Sequence, residues 1–187
     1  MDTSSFSPAA DVVSFTGPTG SLAVTGFQWI NRHQLEVTFN AQAAAGNYQL
    51  VIGPNILDTN GNALDTDGDG VRGENLEDRY LANWTIVPPR VVRQSLQDFV
   101  PAPVDRISFT FDRPMDQQSF AVGDDLVSFQ GRNGNISATG FTWTDSRTLQ
   151  ISFGSQTVLG QYELVLGTNI RDIGGNLLDQ SRNGVAG

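Results

Sequence analysis

Residues 64–78, LDTDGDGVRGENLED, carry six carboxylates in fifteen positions, with glycines at 68, 70 and 73 between them. Asp65, Asp67 and Asp69 alternate, and Gly70 follows the third. Carboxylates this close repel one another unless a cation offsets the charge. Oxygen ligands at loop positions 1, 3 and 5, a glycine at 6 for the sharp turn and a backbone carbonyl at 7 suit a hard cation, and Ca²⁺ takes roughly six to eight such oxygens. Position 7 is Val71. Glu74, Glu77 and Asp78 lie nearby and can close the shell. The candidate ligands are therefore Asp65, Asp67, Asp69, Val71, Glu74 and Glu77, and the candidate ion is Ca²⁺. The alternative is a polar turn whose acids meet only water.

Little else in the chain has the material for chemistry. All 11 basic residues are Arg, so a Lys–Asn isopeptide crosslink, Schiff bases and lysine nucleophiles are excluded. Cysteine is absent, which removes disulfides, thiolate metal sites and cysteine nucleophiles. The single His33 gives Ser-His-Asp or His-metal chemistry almost nothing to work with. Paired carboxylates can act as acid and base in glycosidases, but that needs a large cleft. The expectation is a protein without catalysis. A net charge of −9 and a pI near 4.3 offer no basic stripe for nucleic acid and would be repelled by an anionic membrane. No apolar run reaches the ~18 residues of a membrane span, and no signal peptide is visible.

The chain contains one unit twice. Shifted by 114 positions, Met1 to Gly73 lies on Met115 to Gly187 without a gap, and about 32 of the 73 pairs are identical. A period of this length suits a domain rather than a short solenoid repeat. Residues 91–114 precede the second copy with no equivalent before Met1, and 74–89 follow the first with no equivalent after Gly187. The expected division is 1–88, lacking its leading strands, and 89–187, lacking its trailing strand, with the stiff segment VPPRVV at 87–92 as the joint. A piece of a longer tandem array explains this. So does exchange of strands between chains across an open sheet edge.

Whatever both copies keep is what the unit itself requires. His33 is matched by Arg147, each in a short polar turn. Asp58 and Asp172 recur beside Gly and Asn, the composition of a turn in which the carboxylate bonds backbone N–H groups. Trp29 and Trp143 recur beside Phe27 and Phe141. Their strands face them inward, although exposed aromatics in such places stack on sugars in carbohydrate-binding modules. The acid cluster is different. Asp65 is matched by Asp179, but Asp67 becomes Ser181 and Asp69 becomes Asn183, and beyond them Gly184, Val185 and Gly187 persist. The fold does not require the cluster, which points to a local addition.

The elements that hold these residues have period two. Leu35, Val37 and Phe39 alternate with polar residues, as do Leu149, Ile151 and Phe153, then Tyr48 to Ile52, Tyr162 to Leu166, Ile107 to Phe111 and Tyr80 to Ile86. The phase slips across Gly26 and Gly140, which predicts a β-bulge at each. At most one helical turn is expected near Ser5–Phe6 and near Ser119–Phe120. Strands about ten residues apart with Gly, Asn, Asp and Pro between them predict an all-β protein of two tandem β-sandwich domains.

Three features resemble the bacterial Ig-like domains found in tandem in S-layer and other large surface proteins. They are F-D-x-P-M-D at Phe111 to Asp116, G-x-Y-x-L at Gly160 to Leu164, and I-x-D-x-x-G-N-x-L at Ile170 to Leu178. The first copy keeps the last two, at Gly46 to Leu50 and Ile56 to Leu64. The resemblance implies Ig-like sandwiches acting as spacer, scaffold or adhesion modules on a cell surface or outside the cell. Neighbouring Ig-like domains, copies of the same chain, or a carbohydrate or protein ligand would be the partners. The first seven positions of the acidic loop resemble the calcium loop of EF-hands and dockerins, here set between strands. Free calcium outside the cell suffices for even a weak site of this kind.

Overall fold

Each alternating run lies in or at the edge of a strand in the computed structural model, which describes residues 1–181 and 183. The chain divides into two compact units, Met1–Ile86 and Val87–Gly187. Unit 1 has one helical turn, α1 (Pro8–Asp11), then β1 (Val12–Gly17), β2 (Gly20–Ser21), β3 (Val24–Asn31), β4 (Gln34–Phe39), β5 (Gly46–Ile52) and β6 (Tyr80–Ile86). One sheet runs β2-β1-β5-β6, and β3 pairs with β4 in a second. Unit 2 has β7 (Val91–Gln94), β8 (Val104–Phe111), the turn α2 (Val122–Asp125), β9 (Leu126–Gly131), β10 (Gly134–Asn135), β11 (Ala138–Trp143), β12 (Thr148–Gln156) and β13 (Glu163–Leu166). Its sheets run β10-β9-β13 and β11-β12-β8-β7. Every pairing between these strands is antiparallel. The protein is all-β and sandwich-like: in unit 2 Phe129 and Leu166 of one sheet share a core with Ile107, Phe111, Leu149 and Ile151 of the other.

The phase slips of the sequence are real register shifts, between Val24 and Gly26 and between Ala138 and Gly140. They do not turn both aromatics of each strand inward. Trp29 and Trp143 are half-buried, but Phe27 and Phe141 are 41% and 42% exposed. Each ring leans edge-on against buried Phe6 or Phe120, with centroids 5.0 and 4.9 Å away, and leaves its other side to solvent. The helical turns also sit differently from expectation. A 3-10 turn forms at Gln117–Ser119, but α1 and α2 lie just downstream of the predicted places. The cause is a buried carboxylate in each copy: Asp11 accepts from Ser7 N–H at 2.7 Å and Asp125 from Ala121 N–H at 2.8 Å, closing one turn.

Strands β1 to β5 correspond, 114 residues on, to β9 to β13. Strand β6 has no counterpart among the described residues of unit 2, and β7 and β8 have none in unit 1. Burial follows. Leu149 and Ile151 of β12 pair with Phe109 and Ile107 of β8 and are 0% exposed, whereas Leu35 and Val37 of β4 remain half-exposed. Conversely Val51 of β5, alongside β6, is 6% exposed, while Val165 of β13 is 37% exposed.

Candidate metal centre

The acidic loop belongs to the connection from β5 to β6. Its entry is a clasped turn. Asp58 accepts from the backbone N–H of Asn60 and Asn62 at 2.7 and 2.9 Å and from the Asn62 side chain at 2.9 Å. These bonds, the Asn62 side chain first, hold its carboxyl below the ordinary value. Asp172 does the same with Gly174 and Asn176, so both recurring aspartates are turn clasps. The exit is held by Asp78, which is 0% exposed and accepts from Glu74 N–H at 2.9 Å and Thr66 N–H at 2.7 Å. The Glu74 bond leads in lowering its pKa, and burial opposes it. Thr66 also donates its hydroxyl to Glu77 O at 2.8 Å, and Gly73 N–H bonds Leu64 O at 2.9 Å. The two ends of the loop are thus tied to each other.

Between the ties the chain turns tightly. Asp65, Asp67 and Asp69 each accept a backbone N–H from a residue two or three further on, at 2.8, 3.2 and 2.7 Å. Gly68 and Gly70, with φ of 79° and 90°, take the left-handed backbone that a side chain would strain. The result is two carboxylate triplets, Asp65–Asp67–Asp78 and Asp67–Asp69–Glu74, each with ligand atoms within 4.8 Å of one another. Asp67 belongs to both. Glu74 Oε2 is buried without a hydrogen-bond partner among the described residues. Burial, then the negative charges of Glu77 and Asp69, a hydrogen bond with the Glu77 side chain and the charge of Asp78 raise its pKa. Oxygens gathered this closely are the kind of donor set that hard divalent cations take.

Of the residues named from the sequence, Asp65, Asp67, Asp69 and Glu74 converge. Glu77 falls outside both triplets, and its carbonyl is occupied by Thr66. Val71 has a 54% exposed side chain, and its N–H is given to Asp69. Asp78, named from the sequence as a nearby acid able to close the shell but left out of the candidate ligands, joins the first triplet because the chain doubles back toward Asp65. In unit 2, Asp179 is 4% exposed and accepts from the Ser181 hydroxyl at 2.9 Å. Gly184 and Val185 lie outside the described residues.

The other candidates are less equipped. His33 is exposed in a turn whose N–H bonds Asn31. Trp29 and Trp143 are half-buried, and their ring nitrogens are buried. No helix among the described residues is long and apolar enough to cross a membrane. Compared with protein families, with curated proteins and with solved structures, the chain has no match.

Proposed function

We propose that the chain is a pair of tandem Ig-like β-sandwich modules serving as a non-catalytic spacer or scaffold outside the cell or on a bacterial surface, with Ca²⁺ ordering residues 65–78. The observation that carries the metal part is convergence. Acids spread over fourteen positions come together in two triplets around Asp67, and one of them keeps a buried, unpartnered oxygen. The module part rests on one folded unit occurring twice with equivalent strands, joined through Val87–Pro88–Pro89. A bound ion would lock the long β5–β6 connection and so stiffen the entry to β6, the last strand before that joint. The test is a thermal melt with chelator and then with millimolar Ca²⁺, repeated on an Asp67→Ala, Asp69→Ala variant. A rise of several degrees that the variant loses supports the reading. An unchanged melt leaves the acids as a solvated turn and removes calcium from the proposal.

A further inference from the structure

The joint at residues 87–90 belongs to no strand, yet Pro88 and Pro89 are both buried. Domain boundaries usually fall in exposed, flexible chain. Buried backbone outside a strand needs other partners, and bonds within unit 2 supply them. Arg113 Nη1 donates to Val87 O at 2.8 Å, and Asp179 N–H donates to Pro89 O at 2.9 Å. Asp112 accepts from Arg90 N–H at 3.2 Å through its side chain and gives its own N–H to Arg90 O at 3.0 Å. Pro88 and Pro89 have no N–H, so this stretch is gripped through its carbonyls, by donors that reach in from elsewhere.

We propose that Arg113 is a latch that fastens this joint to unit 2, a positioning residue that turns a tether into a fixed part of the domain. Its guanidinium ties three pieces of chain together. Besides Val87 O, it reaches Asp112 at the end of β8, with Nε and Nη2 forked onto the carboxylate at 3.1 and 3.2 Å. Its Nη1 also lies 3.7 Å from the carboxylate of Asp172, the buried turn clasp beyond β13. A planar fork of fixed donors serves several acceptors in one geometry, and bonds from a charged donor are stronger than neutral ones. Arg106, on the same β8, makes a contrast: it forks onto Asp105, and its side chain is 62% exposed against 26% for Arg113. The latch also leaves little slack. Strand β6 ends at Ile86, and the carbonyl of the very next residue is the one that Arg113 holds. This goes beyond the spacer reading, rests on contacts within unit 2 and does not depend on calcium.

The test is nitrogen NMR relaxation of the backbone amides in the full chain, read at Val87 and Arg90. Both should show the order parameter of rigid backbone, about 0.85, and should fall below about 0.6 in Arg113→Gln. Strands β8 and β12 should keep their order in that variant, and the joint should keep its order in Arg106→Gln. Arg113→Lys preserves the charge but not the fork, and it should free the joint as Arg113→Gln does. Mobile Val87 and Arg90 in the unchanged chain overturn the proposal, and that measurement needs no variant to fold. It is also overturned by order that survives Arg113→Gln, by rescue with lysine, or by an equal effect of Arg106→Gln. If Arg113→Gln loosens β8 and β12 as much as the joint, the arginine only supports the fold and the latch is again excluded.

Discussion

Val37 and Ile151 hold the same place in the two copies, yet Ile151 is 0% exposed and Val37 is half-exposed. Tyr48 and Tyr162 show the reverse, 2% exposed in unit 1 and half-exposed in unit 2. The side chains hardly differ, and the strands alongside them do. Unit 1 has β6 and no equivalent of β8, while unit 2 has β8 and no equivalent of β6 among the described residues. One sequence pattern therefore produces two open sides, each on the sheet that the other unit completes. A residue's alternation states which face it is on, and the neighbouring strand decides whether that face is covered.

The sharpest way to break this comparison is Leu149→Ala against Leu35→Ala. Truncating the fully buried Leu149 should destabilise unit 2 by about 3–4 kcal/mol, because transfer and cavity terms add. The same change at half-exposed Leu35 should cost about 1 kcal/mol, since less area is lost from the interior. Denaturant unfolding measures both, and equal losses would show that β8 does not set the burial of β12.

Calcium should act on one unit only. At a free concentration of about 100 times Kd, binding adds roughly 2.7 kcal/mol to the folded form. Calorimetry should show the unit 1 transition rising and that of unit 2 standing still. A shift in both would mean that the ion does not act through the acidic loop.

The turn clasps offer a finer contrast. Asp172 is 4% exposed and faces Arg113 at 3.7 Å, a partner with no equivalent in unit 1. Asp172→Ala should cost about 1–3 kcal/mol by leaving buried backbone donors unsatisfied. Asp58→Ala, at a more exposed turn without that arginine, should cost less. A larger loss at Asp58 in urea unfolding would reverse the ordering argued here.

The smallest effect is on pH. Asp58 and Asp78 are held below the ordinary value of 3.8 in the folded chain. Their contribution is therefore fully present above that value and is lost as pH falls through their lower folded pKa values. Glu74 runs the other way. Its raised pKa makes its charge a cost that protonation relieves and that a cation offsets. Calcium affinity should accordingly weaken on acidification before Asp78 titrates. Titration of Ca²⁺ binding at stepped pH checks this, and an affinity that stays flat until Asp78 titrates removes Glu74 from the shell.

Much of this was legible in the residues. The strands follow from period two, the bulges from a phase slip at Gly26 and Gly140, and the clasps at Asp58 and Asp172 from their Gly and Asn neighbours. Local signals failed where the partner was remote. Asp78 joins Asp65 only because the loop closes on itself, and Phe27 and Phe141 meet solvent on one side while Phe6 and Phe120 cover the other. The one-turn helices needed a buried carboxylate, Asp11 or Asp125, whose role no spacing announces.

The sequence alone decided the absence of lysine and cysteine chemistry, the acidic charge, the duplication and the β class, because each depends on residue type or order along the chain. Tertiary structure decided which carboxylates meet around Asp67 and which apolar faces are covered. The first depends on a loop that closes on itself, the second on paired strands distant in sequence, and alternation specifies a face without naming the strand that will lie beside it.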